Sequence, residues 1–394
     1  MNILILNAGS SSLKYQLIEM PSQVVKCVGL VERIGMQDAI FTHEKDGEKH
    51  SEVTPILNHK IGLKKVADAL LDKEIGVISS VDEIKAIGHR VVHGGSRYSG
   101  TVEVDEKVKS NIKDLFSLAP LHNPANLTGI EIAETIFTSA KQAVVFDTAF
   151  HQTMPKEAFQ YAIPTKYLKE NKVRAYGFHG TSHKYVSEKA IEYLGEKSSK
   201  IITIHLGNGC SMAAVKDGKC IDTSMGFSPT NGLIMGTRSG DIDHSVIFFL
   251  MKKLNKTADE VNDILQKKSG MLGLTGFSDL REIEEKAGNG NEECQNALRL
   301  ASYRIKKFIG SYASILNGLD AIIFTAGIGE NSILMRQMSC ENLDFLGIEL
   351  NERKNDIRSK EIREIQKETS RVKILVIPTN EELEIAKETY DLLN

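Results

Sequence analysis

The chain has no cysteine framework. Its five cysteines, Cys27, Cys210, Cys220, Cys294 and Cys340, are odd in number, scattered and never in a CxxC pair, which argues against a zinc site or disulfide scaffold and points to a reducing compartment. Nor is there a strong charge of either sign: 49 Lys and Arg stand against 52 Asp and Glu, a formal net charge of -3. A general nucleic-acid binder would be basic, so small molecules are the favoured partners. No stretch approaches the roughly 20 apolar residues that span a bilayer. The opening MNILILN lacks the basic start and the apolar length of an export signal. The expectation is a cytoplasmic protein without a membrane or nucleic-acid partner. A GxxxxGK[ST] loop is also missing, so a nucleotide would not be held in P-loop fashion.

What is present is a chain of 394 residues, 41% hydrophobic and 26% charged, long enough for two domains with sizeable cores. Short apolar, β-rich runs at residues 3–6, 87–92, 143–146, 201–206, 321–325 and 372–377 alternate with amphipathic stretches, an α/β pattern. The charge-rich segments 42–51 and 351–371 have too few apolar residues for a core. They are expected to be solvated hairpins and helices that carry no chemistry.

Two Gly/Ser-rich loops repeat one design. Strand 3–6 runs into NAGSSSLK (7–14), and strand 201–206 runs into GNGCSMAAV (207–215). A hairpin with a small polar tip offers backbone N–H groups and hydroxyls to an anion, so two of them half a chain apart imply two similar half-molecules. A third loop, TAGIGEN (325–331), follows an apolar strand and precedes an expected helix, as nucleotide loops often do.

Cationic residues gather where helices should begin. Asn123 is expected as an N-cap with Pro124 at the first helical position, which sets His122 beside a helix start. His179 precedes another start, and Arg238 leads into an apolar helix at 245–251. Together they outline an oxyanion or phosphoryl site, although each His could be an ordinary turn residue and Arg238 could simply pair with Asp241 or Asp243. Asp147 ends strand 143–146, where open α/β sheets often carry site residues. Arg90 and Val92 share one face if 87–92 is extended, placing a guanidinium beside an apolar wall that suits a small acid. Val92, Leu121, Phe178 and Pro229 flank the charged groups and could wall an alkyl end. Glu381 and Glu382 open a helix beginning at 380, where they either complement its dipole or hold Mg²⁺.

Taken in order, NAGSSSLK (7–14), GHRVVHGG (88–95), LHNPAN (121–126), FDTAFH (146–151), GFHGTSH (177–183), HLGNG (205–209), MGTRSGDID (235–243), TAGIGENS (325–332) and PTNEEL (378–383) resemble the acetate kinase family of the actin, sugar-kinase and Hsp70-like superfamily, over essentially the whole chain. SPTNG at 228–232 stands where a TPLEG-like run is usual, and His244 where Pro often follows GDID. The resemblance implies two ribonuclease-H-like domains of the βββαβαβα type with a nucleotide cleft between them. One would span 1–149, with 383–394 packing back on it, and the other 150–382. It also implies a homodimer and reversible, Mg²⁺-dependent transfer of the ATP γ-phosphoryl group to acetate, with Mn²⁺ able to substitute.

By motif, Arg90 would bind the acetate carboxylate, and Asn7 and Glu381 would lie at the metal. Lys14, Ser10 and Ser12 would face the phosphates. His179 and Arg238 would stabilise the moving phosphoryl group with His122 nearby, and Asp147 would be the catalytic acid residue. The nucleotide would be held by His205, Leu206, Gly207, Asn208 and Gly209, by Asp279, Leu280 and Arg281, and by Gly327, Ile328, Gly329, Glu330 and Asn331. Acetate is already ionised at neutral pH, so Asp147 is expected to position groups rather than to remove a proton. Propionate or butyrate kinase is the alternative within this chemistry, and a nucleotide-driven conformational switch the alternative outside it.

Overall fold

The computed structural model of the protein describes residues 1–195 and 199–394. The chain divides into two units, Met1–Ala149 with Asn380–Asn394, and Phe150–Thr379.

In the first unit, β1 (Asn2–Ala8), β2 (Ser12–Glu19), β3 (Val24–Glu32), β4 (Met36–Lys45), β5 (Glu48–Ile56), β6 (Ile84–Val91), β7 (Val102–Glu103) and β8 (Lys141–Phe146) form one sheet in the order β5-β4-β3-β2-β1-β6-β8-β7. Strands β1 to β5 are an antiparallel meander, whereas β1, β6 and β8 run parallel. Parallel neighbours require crossover connections, and helices His59–Leu71 and Asn123–Ile136 lie in them. The unbroken apolar run of β1 follows from cover on both faces. Ile3 and Ile5 pack with Ile385 and Ala386 of helix Glu381–Leu393, while Leu4 and Leu6 pack with Leu63 and Val66.

In the second unit, β9 (Lys200–Leu206), β10 (Cys210–Lys216), β11 (Lys219–Thr223), β12 (Ala321–Thr325), β13 (Arg363–Glu364) and β14 (Lys373–Val376) are ordered β11-β10-β9-β12-β14-β13. The first five strands in this order reproduce β3-β2-β1-β6-β8: an antiparallel triplet, then two strands added in parallel. The two sheets share one strand order, so the similarity of the two loops reflects a repeat of whole domains. Each half also sends its last helix to the other unit. Helix Gly180–Leu194, after β8, packs Val186 and Ala190 among Ile201 and Ala213 of the second sheet, and helix Glu381–Leu393, after β14, serves the first.

Three expectations need correction. The return to the first unit begins at Asn380 rather than 383, because the Asn380 side chain caps the helix by accepting from Leu383 N at 3.0 Å and carries Glu381 and Glu382 with it. Residues 326–331 are not an open loop but a short helix, Ala326–Asn331, entered through a left-handed Ala326 (φ 64°). Segment 351–371 does contribute to a core: Asn355 and Ile365 are buried, and Arg336 donates to the Asn355 side chain and carbonyl. Among the described residues, no helix is long and apolar enough to cross a membrane.

Candidate active site

Three parallel strands of the first unit end side by side, and Asn7, Arg90 and Asp147 sit at those ends. This is the edge at which open sheets bind ligands. Arg90 donates from Nε to Asp147 Oδ1 at 2.9 Å and from Nη2 to Oδ2 at 2.6 Å, a bidentate fork. Asp147 is 2% exposed and spends both oxygens on this fork, whereas the guanidinium is 20% exposed. Glu381 Oε2 lies 3.9 Å from Arg90 Nε, and Lys14 pairs with Glu382. Burial alone would lower the Arg90 pKa, but Asp147 and Glu381 outweigh it and hold the guanidinium firmly charged. Burial, helped by Asp147 and Glu382 and opposed by Arg90 and Lys14, pushes the Glu381 pKa up. Three carboxylates thus face two cations, a local excess of negative charge.

Val92 lies one residue beyond β6, partly buried, with its N–H held by Asn126 Oδ1 at 3.1 Å. Asn126 also donates to Ala8 O at 2.7 Å and so ties the ends of β1 and β6 together. Asn123 is not the expected N-cap. His122 holds that position without a side-chain cap bond, while the fully buried Asn123 accepts from His93 N and donates to His93 O. His122 is exposed, and Leu121, at 60% exposure, walls nothing within this unit. Ser10 and Lys14 are exposed and Ser12 partly so, on the β1–β2 tip; His59 Nε2 donates to Gly9 O there at 2.6 Å.

In the second unit His179 has left-handed backbone (φ 57°) at the head of helix Gly180–Leu194. Its side chain and that of Arg238 both reach the β9–β10 tip at Gly209. A Cβ on Gly209 would lie 3.2 Å from His179 Cε1 and Nε2 and 3.6 Å from Arg238 Nη1, so only glycine leaves that space open. Arg238 is placed by Gly236 N donating to Asn208 O at 3.0 Å and by its own Nη1 donating to Pro229 O at 2.7 Å. It pairs with neither Asp241, which takes Gly232 N at 2.7 Å, nor Asp243, which caps helix His244–Lys253. Among the described residues no carboxylate bridges to Arg238, and burial pushes its pKa down. Phe178 is buried and its carbonyl accepts from His151 Nε2. His205 stacks on His179 with ring centroids 4.2 Å apart, beneath that ring rather than on the wall of this unit's cleft.

That cleft, about 1060 Å³, joins three of the expected segments: Leu206, Gly207 and Asn208; Asp279, Leu280 and Arg281; and Gly327, Ile328 and Asn331. Gly209, Gly329 and Glu330 are not on its wall; Glu330 instead accepts from Thr379 N at 3.2 Å. Apolar Ile234, Met235 and Met271 face polar Asp279, Arg281 and Asn331, a lining suited to a flat base and its ribose. Met271 and Arg358 were not legible, since one sits in an ordinary amphipathic stretch and the other in a segment expected to be inert.

The family model described as the acetokinase family matches residues 2–387. The chain is 64% identical over 393 residues to acetate kinase of Flavobacterium johnsoniae, covering 100% of both chains. It is 52% identical to acetate kinase of Thermotoga maritima, covering 100% of this chain and 99% of that one. Among solved structures it resembles Porphyromonas gingivalis acetate kinase (TM-score 0.95, 43% identity) and a propionate kinase from Francisella tularensis (TM-score 0.94, 41% identity), each with 100% of both chains covered.

Proposed function

The chain belongs to the acetokinase family, and from that premise we propose that it transfers the γ-phosphoryl group of ATP to acetate, reversibly, giving acetyl phosphate and ADP. The observation that carries the reading is the Arg90 fork. Asp147 occupies the Nε and Nη2 edge, leaving the Nη1 side of a fixed, charged guanidinium for a second carboxylate. Asp147 accordingly acts through Arg90, orienting it, and takes no proton from a nucleophile that is already ionised. Val92, two residues on, would meet the methyl group.

In the second unit Leu206, Gly207 and Asn208, the 279–281 segment, and Gly327, Ile328 and Asn331 hold the nucleotide, and His179 and Arg238 stabilise charge on the phosphoryl oxygens. The first unit's oxygen donors fit a hard cation: the Asn7 carboxamide and the Glu381 carboxylate, with a local surplus of negative charge. Held by these two side chains, Mg²⁺ would supply neutralisation of phosphate charge. Among the described residues no three His, Cys, Asp or Glu side chains form a metal-binding group. Lys14, salt-bridged to Glu382, steadies the neighbour of Glu381.

Homodimerisation fits helix His244–Lys253, which buries none of its residues while Phe248 and Phe249 are more than half exposed. Five buried, unpaired cysteines fit a cytoplasmic setting. Propionate is the second reading, favoured by the likeness to the Francisella tularensis propionate kinase. The test is incubation with Mg-ATP and hydroxylamine, with and without acetate. Acetate-dependent acyl hydroxamate supports the reading, whereas ATP hydrolysis indifferent to acetate would point to the conformational switch.

A further inference from the structure

Ser211 lies fully buried on β10, and its single hydroxyl sits between two imidazoles. His179 Nδ1 and His183 Nε2 are each 2.8 Å from Ser211 Oγ. A serine donates only one proton, so at most one imidazole can accept from it and at least one must donate to it. His183, one helical turn after His179, places its Nδ1 2.7 Å from Thr203 Oγ1, and Thr203 Oγ1 in turn reaches Ala213 O at 3.5 Å. With the Thr203 proton on Ala213 O, every group is satisfied in one direction. His183 Nδ1–H donates to Thr203, Ser211 donates to His183 Nε2, and His179 Nδ1–H donates to Ser211.

The opposite direction would make Ser211 donate to His179 Nδ1, and an imidazolium, which carries protons on both nitrogens, could not accept that bond. A neutral ring with its proton on Nδ1 would turn a bare lone pair toward the phosphoryl oxygens, so in this arrangement His179 stabilises their charge as the imidazolium, with Nδ1–H on Ser211 and Nε2–H toward the phosphoryl group. We propose that Ser211 and His183 are positioning residues that fix a proton on His179 Nδ1 and thereby turn its Nε2 toward the phosphoryl group over Gly209. The inference rests on His179 acting in phosphoryl transfer, as read above.

The surroundings support an acceptor at His183 Nε2. Burial, with His151 and His205 nearby, drives the His183 pKa well below its ordinary value and keeps the ring neutral. His151 is itself locked, with Nε2 donating to Phe178 O at 2.9 Å and Nδ1 beside Cys220 Sγ at 3.2 Å. His205, bonded through Nδ1 to Ser182 Oγ at 2.8 Å, stacks at 17° against the His179 ring. One partner therefore fixes the ring's plane and the other its proton.

The experiment is a long-range ¹H–¹⁵N correlation spectrum of full-length protein labelled with ¹⁵N-histidine, recorded above the His179 titration. The His179 signals are identified with His179→Gln. The wild type should show the Nδ1–H tautomer at His179. Ser211→Ala should move it toward Nε2–H and lower kcat by about 10- to 100-fold, the range for residues that orient a functional histidine, with KM for acetate and ATP unchanged. Ser211→Thr, which restores the hydroxyl, should restore both. An Nε2–H tautomer in the wild type overturns the proposal whether or not the variant folds, and so does an unmoved tautomer in Ser211→Ala. A wild type that makes no acyl phosphate would instead refute the kinase reading, leaving the tautomer as a separate result.

Discussion

Arg90 illustrates how a residue assigned to binding is also tied into the stability of the fold. Its fork on Asp147 is buried, so Arg90→Ala would strand a carboxylate at a cost of about 3–5 kcal/mol and confuse unfolding with lost binding. Arg90→Lys keeps the charge and loses the planar fork. It should raise KM for acetate about 10- to 100-fold, the worth of a charge-assisted hydrogen bond, with KM for ATP unchanged in initial-rate kinetics. Equal weakening of both substrates would place Arg90 on the phosphates instead. Arg238→Ala should act elsewhere in the cycle. Its guanidinium is assigned to the moving phosphoryl group, so kcat should fall on the order of 10³-fold, as for arginine fingers, and an unchanged kcat in the folded variant would remove the assignment. Val92→Ala should open the wall beside Arg90. The extra CH₂ of propionate is worth roughly 0.8 kcal/mol when buried, which would raise the propionate-to-acetate ratio of kcat/KM about four-fold. A flat ratio would show that Val92 does not line the acid pocket.

At the scale of elements, the most informative position is the N-terminus of helix Glu381–Leu393. Its first-turn acids complement the helix dipole, yet Glu381 is also the carboxylate whose burial beside Asp147 leaves the charge unbalanced. Glu381→Gln should raise the Mg²⁺ concentration needed for half-maximal activity. Loss of the dipole contribution alone would lower stability by roughly 0.3–1 kcal/mol and leave the Mg²⁺ titration where it was. Strands and strand ends were legible because a buried parallel strand must be apolar throughout, so Arg90 and Asp147 stood out against β6 and β8. Asn123 misled for a physical reason: Asn before Pro is good capping chemistry, but here the side chain is worth more inside, holding both backbone groups of His93. Residues 326–331 misled because their glycines suggested a loop, while a left-handed Ala326 lets the chain turn straight into a helix. Ser211 was invisible because a lone serine in an apolar strand carries no pattern, and its meaning lies in the two histidines that only the fold brings to it.

For the whole molecule, the two-fold repetition of sheet order explains why the two Gly/Ser-rich hairpin tips recur at corresponding strand ends of both units in one chain of 394 residues. The exposed helix His244–Lys253 sets a prediction at this scale. Phe248→Glu combined with Phe249→Glu should convert a dimer into monomers by sedimentation, and a wild type that sediments as a monomer would remove the homodimer from the account. The central claim is that a carboxylate oxygen, held by Arg90, attacks the γ-phosphorus of ATP. It is tested most directly with [¹⁸O₂]acetate and Mg-ATP, reading the product by ³¹P NMR. The account predicts acetyl phosphate whose phosphorus signal carries the isotope shift of a bridging ¹⁸O. Orthophosphate without isotope shift, formed at the same rate in the absence of acetate, would contradict it.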